Sequence, residues 1–188
     1  MVTVNADPYT SVLLVGFMAS GKSTVGRELA LLLGWVFVDM DSAIEERYGA
    51  NVDFLFKEKG ESYFRHCESE ITLDLLPVRG TVLASGGGWA VSDKNWQIVP
   101  KDTLTVWLKV TPEVAFERAQ KGGAVRPLLD NIDGVKEFSM LLEQRQKCYA
   151  RAKYTVDSEM GKPAELAQNI LSFMETVSYT HLTLPTKA

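Results

Sequence analysis

The chain has 188 residues, 46% of them apolar and 23% charged, a length and balance that suit one globular domain and leave little room for two. No apolar run approaches the ~20 residues of a membrane span, and a net charge of −4 with scattered lysines and arginines provides no sequence-wide cationic field for nucleic acid or an anionic bilayer. Cys67 and Cys148 lie far apart and outside any C-x-x-C or Cys/His cluster, which argues against a disulfide framework or a structural zinc and suits a reducing compartment.

Apolar, β-rich runs recur at Val12–Val15, Trp35–Val38, Thr81–Ala84, Leu104–Leu108 and Tyr154–Val156. Between them, helical spacing covers Lys22–Leu33, Ser42–Tyr48, Val52–Lys59, Glu61–Leu75, Pro112–Gln120, Val135–Ala150 and Pro163–Thr176. That alternation predicts an α/β protein with a parallel sheet covered on both faces. The stretch from Lys121 to Gly134 carries three glycines and a proline, a composition that resists regular structure and suits a lid. Residues Ser178–Ala188 show no amphipathic period and are expected to form a disordered or non-native tail after a single domain spanning residues 1–177. Met1–Thr10 has neither the pattern of an export signal nor that of a transit peptide, so a cytoplasmic, monomeric protein is the expectation.

The first strand runs into Gly16-Phe17-Met18-Ala19-Ser20-Gly21-Lys22-Ser23, a match to G-x-x-x-x-G-K-[ST] in the strand-to-helix setting that motif requires. The backbone of Gly16, Ala19, Ser20 and Gly21 is expected to wrap nucleotide phosphates, aided by the positive end of the helix dipole. Lys22, expected to face solvent, would neutralise the β- and γ-phosphates. Ser23 would give its hydroxyl to Mg²⁺, and Thr24 would help satisfy the opening turn of the helix.

The second strand ends at Asp39-Met40-Asp41. Read as strand, the two carboxylates share one direction at the sheet edge where ligands bind, so one could serve the metal and the other the acceptor. Asp41 could equally cap the helix beginning at Ser42. The third strand ends in Ser85 and three glycines, so it donates no acidic residue of the kind motor ATPases place there, and no [NT]-K-x-D sequence is available to read guanine. Gly86-Gly87-Gly88 permits close approach of a ligand to free main-chain N–H groups. Glu61, Arg65 and Glu68 share one helix face, as a surface salt-bridge ladder would. Arg145 lies on the late helix, and two guanidinium forks converging on one carboxylate would make a strong clamp. Arg126-Pro127-Leu128-Leu129, inside the presumed lid, could bring an arginine onto the transferring phosphoryl group on closure.

In order and spacing, the loop Gly16–Thr24, Asp39/Asp41, Gly60-Glu61-x-x-Phe64-Arg65-x-x-Glu68, Gly86–Gly88, Arg126-Pro127-Leu128 and Arg145 together resemble the shikimate kinases, from about Ser11 to Phe173. The resemblance implies a three-layer α/β/α P-loop kinase fold with a five-stranded parallel sheet of order 2-3-1-4-5, acting on ATP and shikimate with Mg²⁺. It gives Lys22 and Ser23 to ATP and metal, Asp39 to the metal shell, and Asp41 to the substrate hydroxyls as base. It assigns Arg65 and Arg145 to the shikimate carboxylate, Gly87 and Gly88 to the ring, Arg126 to the phosphates, Arg118 to the adenine side and Glu61 to orienting Arg65. Ala19 stands where a glycine is common, which is tolerable if its φ is negative. Trp89 stands where smaller residues are usual and bears on pocket size. A gluconate-type kinase would keep the loop and change the acceptor grip, whereas a non-catalytic nucleotide-binding module would lose Lys22, Asp41 or Arg126; all three are present.

Overall fold

A computed structural model of the chain describes residues 8–121 and 134–183. Five parallel strands form one sheet in the order β2-β3-β1-β4-β5: β1 Ser11–Val15, β2 Val36–Asp39, β3 Thr81–Ala84, β4 Thr103–Lys109 and β5 Tyr154–Asp157. β1 is central, and all five of its residues are buried. Because strand side chains alternate, Leu13 and Val15 face one core and Val12 and Leu14 the other. The helices α1 Lys22–Leu33 and α8 Pro163–Thr183 close the second core through Val25, Leu29, Leu166 and Ile170. α4 Glu61–Leu75 and α7 Val135–Tyr149 close the first through Phe64, Ile71, Phe138 and Leu142. The three layers and the strand order match the expected α/β/α fold.

Several boundaries differ from the sequence expectation, each for a physical reason. α2 begins at Met40, two residues earlier than spacing suggested, and runs to Tyr48, because Asp39, the last residue of β2, caps the helix. Its Oδ1 accepts from the N–H groups of Asp41 and Ser42 at 3.2 and 3.4 Å. Val52–Lys59 is not one regular helix: α3, Val52–Phe54, widens into a π-helical turn over Leu55–Lys59 before Gly60. A short helical turn at Trp89–Val91 and α5, Asp93–Gln97, fill a stretch without a helical period. α6 spans Pro112–Lys121. The lid assigned to 121–134, with Arg126, falls almost wholly outside the described residues.

The expected tail boundary is corrected as well, since α8 continues through Ser178 to Thr183 instead of ending at Thr176. No glycine or internal proline interrupts the chain after Pro163 until Pro185, so nothing local ends the helix sooner. Hydrogen bonds such as Ser178 Oγ to the Met174 carbonyl at 2.9 Å decorate that last stretch.

Trp89 does not narrow a pocket. Its indole is wholly buried, meets Trp96 edge-on at 5.3 Å between centroids, and donates through Nε1 to Thr72 Oγ1 at 2.9 Å. Asn95 Nδ2 donates to the Trp89 carbonyl at 2.9 Å, and Ser69 Oγ donates to Asn95 Oδ1 at 2.6 Å. These bonds fasten α4 to the backbone that follows Gly88. Trp89→Phe removes the buried donor and leaves a void, so denaturant unfolding should show a loss of about 1–3 kcal/mol; an unchanged midpoint would contradict this packing role.

Candidate active site

The carboxyl ends of β1, β2 and β3 converge because their registers are parallel and in step, with Asp39 and Leu14 both paired to Ala84. Beyond that edge opens a cleft of about 540 Å³. One end is lined by Phe56, Phe64, Arg65, Glu68 and Gly86–Gly88, the other by Arg118, Ser158 and Leu166, and the loop Met18–Thr24 lies between them with Asp39 and Asp41.

In the loop, Lys22 is only 9% exposed, against the expectation of a solvent-facing side chain. Its Nζ donates to the carbonyls of Gly16 and Phe17 at 2.9 and 2.8 Å, holding the ammonium across the loop that it would otherwise leave. Thr24 sits exposed in the opening turn of α1. Ala19 adopts φ +58, not the negative value that would make it a comfortable replacement for glycine. A β-carbon in that left-handed region crowds the backbone and stores about 1 kcal/mol of strain.

Ser23 Oγ donates to Asp39 Oδ2 at 2.5 Å, joining the first turn of α1 to the end of β2. The hydroxyl and carboxylate are hard oxygen donors of the kind a divalent cation takes. No group of three or more His, Cys, Asp and Glu side chains that could cage a metal occurs among the described residues. Asp39 therefore has two duties, capping α2 and meeting Ser23. Asp41 stands in the first turn of α2, so the shared direction expected from strand alternation is replaced by helix geometry, which still leaves both residues on the cleft.

Arg65 is held from two sides: Nη1 donates to Glu68 Oε2 at 2.7 Å, and Nε and Nη2 donate to Glu61 Oε1 at 3.3 and 2.9 Å. This is more than a surface ladder, since Glu68 is wholly buried. Burial pushes the Glu68 carboxyl up to about 7 even though Arg65 pulls it down. Gly88 makes the arrangement possible, because a β-carbon there would sit 2.3 Å from Arg65 Nη2. Arg145 approaches the same turn from α7, with Nη1 3.5 Å from the Gly87 carbonyl, which also accepts from Tyr149 Oη at 2.6 Å. At the other end, Arg118 donates to Ser158 Oγ and the Ser158 carbonyl at 3.2 and 3.1 Å. Arg126 lies outside the described residues.

Sequence reasoning missed the aromatic wall of Phe56 and Phe64, whose rings lie 5.7 Å apart, and it missed Tyr149 and Ser158. The adjacency of Phe64 to Arg65 was a usable signal for the first; Tyr149 and Ser158 reach their partners only through tertiary packing.

The Shikimate kinase family model matches residues 18–175. A shikimate kinase of Persephonella marina is 40% identical over 161 residues, covering 86% of this chain and 96% of that protein. One from Moorella thermoacetica is 38% identical, covering 85% and 91%. Among solved structures, shikimate kinase from Acinetobacter baumannii in complex with shikimate superposes with a TM-score of 0.81 at 33% identity, over 90% of this chain and 95% of that one. A gluconokinase from Sinorhizobium meliloti, at TM-score 0.60 and 20% identity over 94% and 97%, shares the fold.

The strain at Ala19 yields a direct test. Ala19→Gly should raise stability by about 0.5–1 kcal/mol, the relief exceeding the added freedom of the unfolded chain, and should shift Tm up by about 2 °C. A lower Tm would show that the left-handed turn is unstrained.

Proposed function

This chain belongs to the shikimate kinase family, and from that premise we propose how its residues move the γ-phosphoryl group of ATP to the 3-hydroxyl of shikimate, giving shikimate 3-phosphate and ADP. The observation that carries the reading is the cleft itself, where a phosphate-type loop at its middle faces an arginine anchored by Glu61 and Glu68. A loop of that kind binds nucleotide, and a guanidinium held rigidly beside free main chain suits a carboxylate-bearing acceptor.

Arg65 and Arg145 grip the acceptor carboxylate, and the backbone at Gly87 and Gly88 meets the ring. Asp41 orients the 3-hydroxyl and takes its proton as the O3–Pγ bond forms and the bond from Pγ to the β,γ-bridging oxygen breaks. In a loose transition state the proton leaves late, so orientation is the larger part of this task. Lys22 lets go of loop carbonyls to meet the β- and γ-phosphates, while Gly16 to Gly21 and Thr24 cradle them and Arg118 borders the adenine. By family resemblance Arg126 closes on the phosphates. Ser23 and Asp39 are the residues that would hold Mg²⁺, which when bound neutralises charge developing on the phosphate oxygens. Among the described residues no helix is long and apolar enough to cross a membrane. The free thiols of Cys67 and Cys148 are in keeping with a cytosolic enzyme, which we take to act as a monomer.

A coupled ADP-release assay with Mg²⁺ and ATP, run against shikimate, gluconate, nucleoside monophosphates and no acceptor, should respond to shikimate alone. ADP release that ignores the acceptor, or follows gluconate, would overturn the reading. Two variants resolve the roles. Arg65→Lys keeps the charge but loses the planar fork, so the KM for shikimate should rise about tenfold or more while that for ATP stays nearly constant. Asp41→Asn should lower kcat about 100-fold or more with little change in ATP affinity. Equal loss in both parameters would make Asp41 a residue of the nucleotide site.

A further inference from the structure

We propose that binding of the acceptor carboxylate is coupled to uptake of a proton by Glu68, so that the buried glutamate is neutral in the complex. The inference rests on the reading of this cleft as the shikimate site. It begins from a conflict of charge. In the empty site each nitrogen of the Arg65 guanidinium already donates to a carboxylate, Nη1 to Glu68 and Nε and Nη2 to Glu61. Arrival of the acceptor puts a third carboxylate against the same cation, with Asp41 close by.

The two resident glutamates can respond in different ways. Glu61 is 61% exposed, and a solvent-screened surface pair of this kind holds only weakly, so Glu61 can turn into water. Glu68 has no such route, being wholly enclosed under the glycine turn. Only Oε2 of Glu68 is paired; Oε1 is buried without a hydrogen-bond partner among the described residues. That bare oxygen faces Gly86, where a β-carbon would lie 2.7 Å from Glu68 Oε1 and 3.3 Å from Asp41 Oδ1. Two carboxylates thus crowd the position a β-carbon of Gly86 would take, and Glu68 is the one without solvent.

Other charges of the described residues lie around Glu68. Arg65 and Glu61 lie on its own helix and Asp41 on α2. From α7, Arg145 reaches the Gly87 carbonyl and supplies a second cation for the acceptor, which limits the shift. Lys22 directs its ammonium at the carbonyls of Gly16 and Phe17. Burial, opposed by Arg65 and reinforced by Asp41 and Glu61, already holds the Glu68 carboxyl up at about 7, so a small added negative potential suffices to tip it. The sign follows from linkage. An incoming anion favours the protonated form and raises the pKa of Glu68 in the complex. Affinity is therefore highest below the pKa of the free enzyme and falls as pH rises through about 7, levelling off above the pKa of the complex.

Calorimetric titration of the nucleotide-free, full-length enzyme with shikimate tests this. At constant ionic strength, Kd should be about tenfold weaker at about pH 8 than at about pH 6. Near neutrality, the heat should differ between two buffers of unlike ionisation enthalpy in the sense of proton uptake. Glu68→Gln keeps an oxygen for Arg65 but cannot titrate, so its affinity should be flat with pH. Asp41→Asn should retain the uptake. Wild-type binding that is independent of pH and of buffer, or a pH dependence that survives in Glu68→Gln, would overturn the proposal. Should Glu68→Gln fail to fold, the buffer experiment on wild type and Asp41→Asn still decides it. Absence of shikimate binding at every pH is a different result, which removes the acceptor assignment and this inference together.

Discussion

The parallel pairing of β1 between β3 and β4 is the constraint on which the rest of the site depends. β1 is hydrogen-bonded along both edges and buried on both faces, so its end at Val15 has no freedom to drift. The chain must leave it through the loop that closes onto α1, and the registers of β3 and β2 bring Ser85 and Asp39 out at the same edge. Nucleotide loop, metal-type donors and acceptor turn come from three distant parts of the chain, and the sheet places them around one cleft. The apolar cores above and below resist any sliding of these strands, since a shift of one residue would reverse which side chains face which core.

On that edge, charged side chains are held ready by the protein's own groups before any ligand arrives. Lys22 rests on two carbonyls, Asp39 caps a helix and accepts from Ser23, and Arg65 lies between two glutamates. Each contact orders a long side chain in advance, which reduces the entropy lost on binding, and each must be given up or shared when the ligand comes. The exposed partner of Arg65 can yield cheaply and the buried one cannot. This asymmetry makes the acceptor end sensitive to protons, while the loop end depends on phosphate charge.

Much of this was legible in the sequence where local chemistry and tertiary structure agree. The apolar runs at Thr81–Ala84 and the spacing of Lys22–Leu33 and Glu61–Leu75 coincide with the observed elements, because a continuous β-rich run or a helical period leaves few alternatives. The loop, Asp39, Asp41, Arg65 and the glycine turn do come together. What was not legible depended on geometry that composition does not encode. Asp39-Met40-Asp41 reads as alternating strand until the cap at Asp39 is seen to turn the chain. Ala19 carries no sign in its identity of a φ of +58. Lys22 and Glu68 look like surface charges by residue type, and only the fold shows that both are buried. Trp89 seemed a threat to the pocket because its position beside Gly88 says nothing about which way the indole turns; Thr72, seventeen positions earlier, holds it in the core.

The central claim is that this cleft moves a phosphoryl group to one particular hydroxyl, and identifying the product by ³¹P NMR tests it most directly. Incubation with ATP, Mg²⁺ and shikimate should produce a phosphomonoester resonance coupled to the ring proton at the 3-position, in step with the appearance of ADP. Inorganic phosphate as the sole new signal, or an ester coupled to another ring proton, would contradict the account, because the Asp41 side of the cleft would then be presenting water or the wrong hydroxyl to the γ-phosphate.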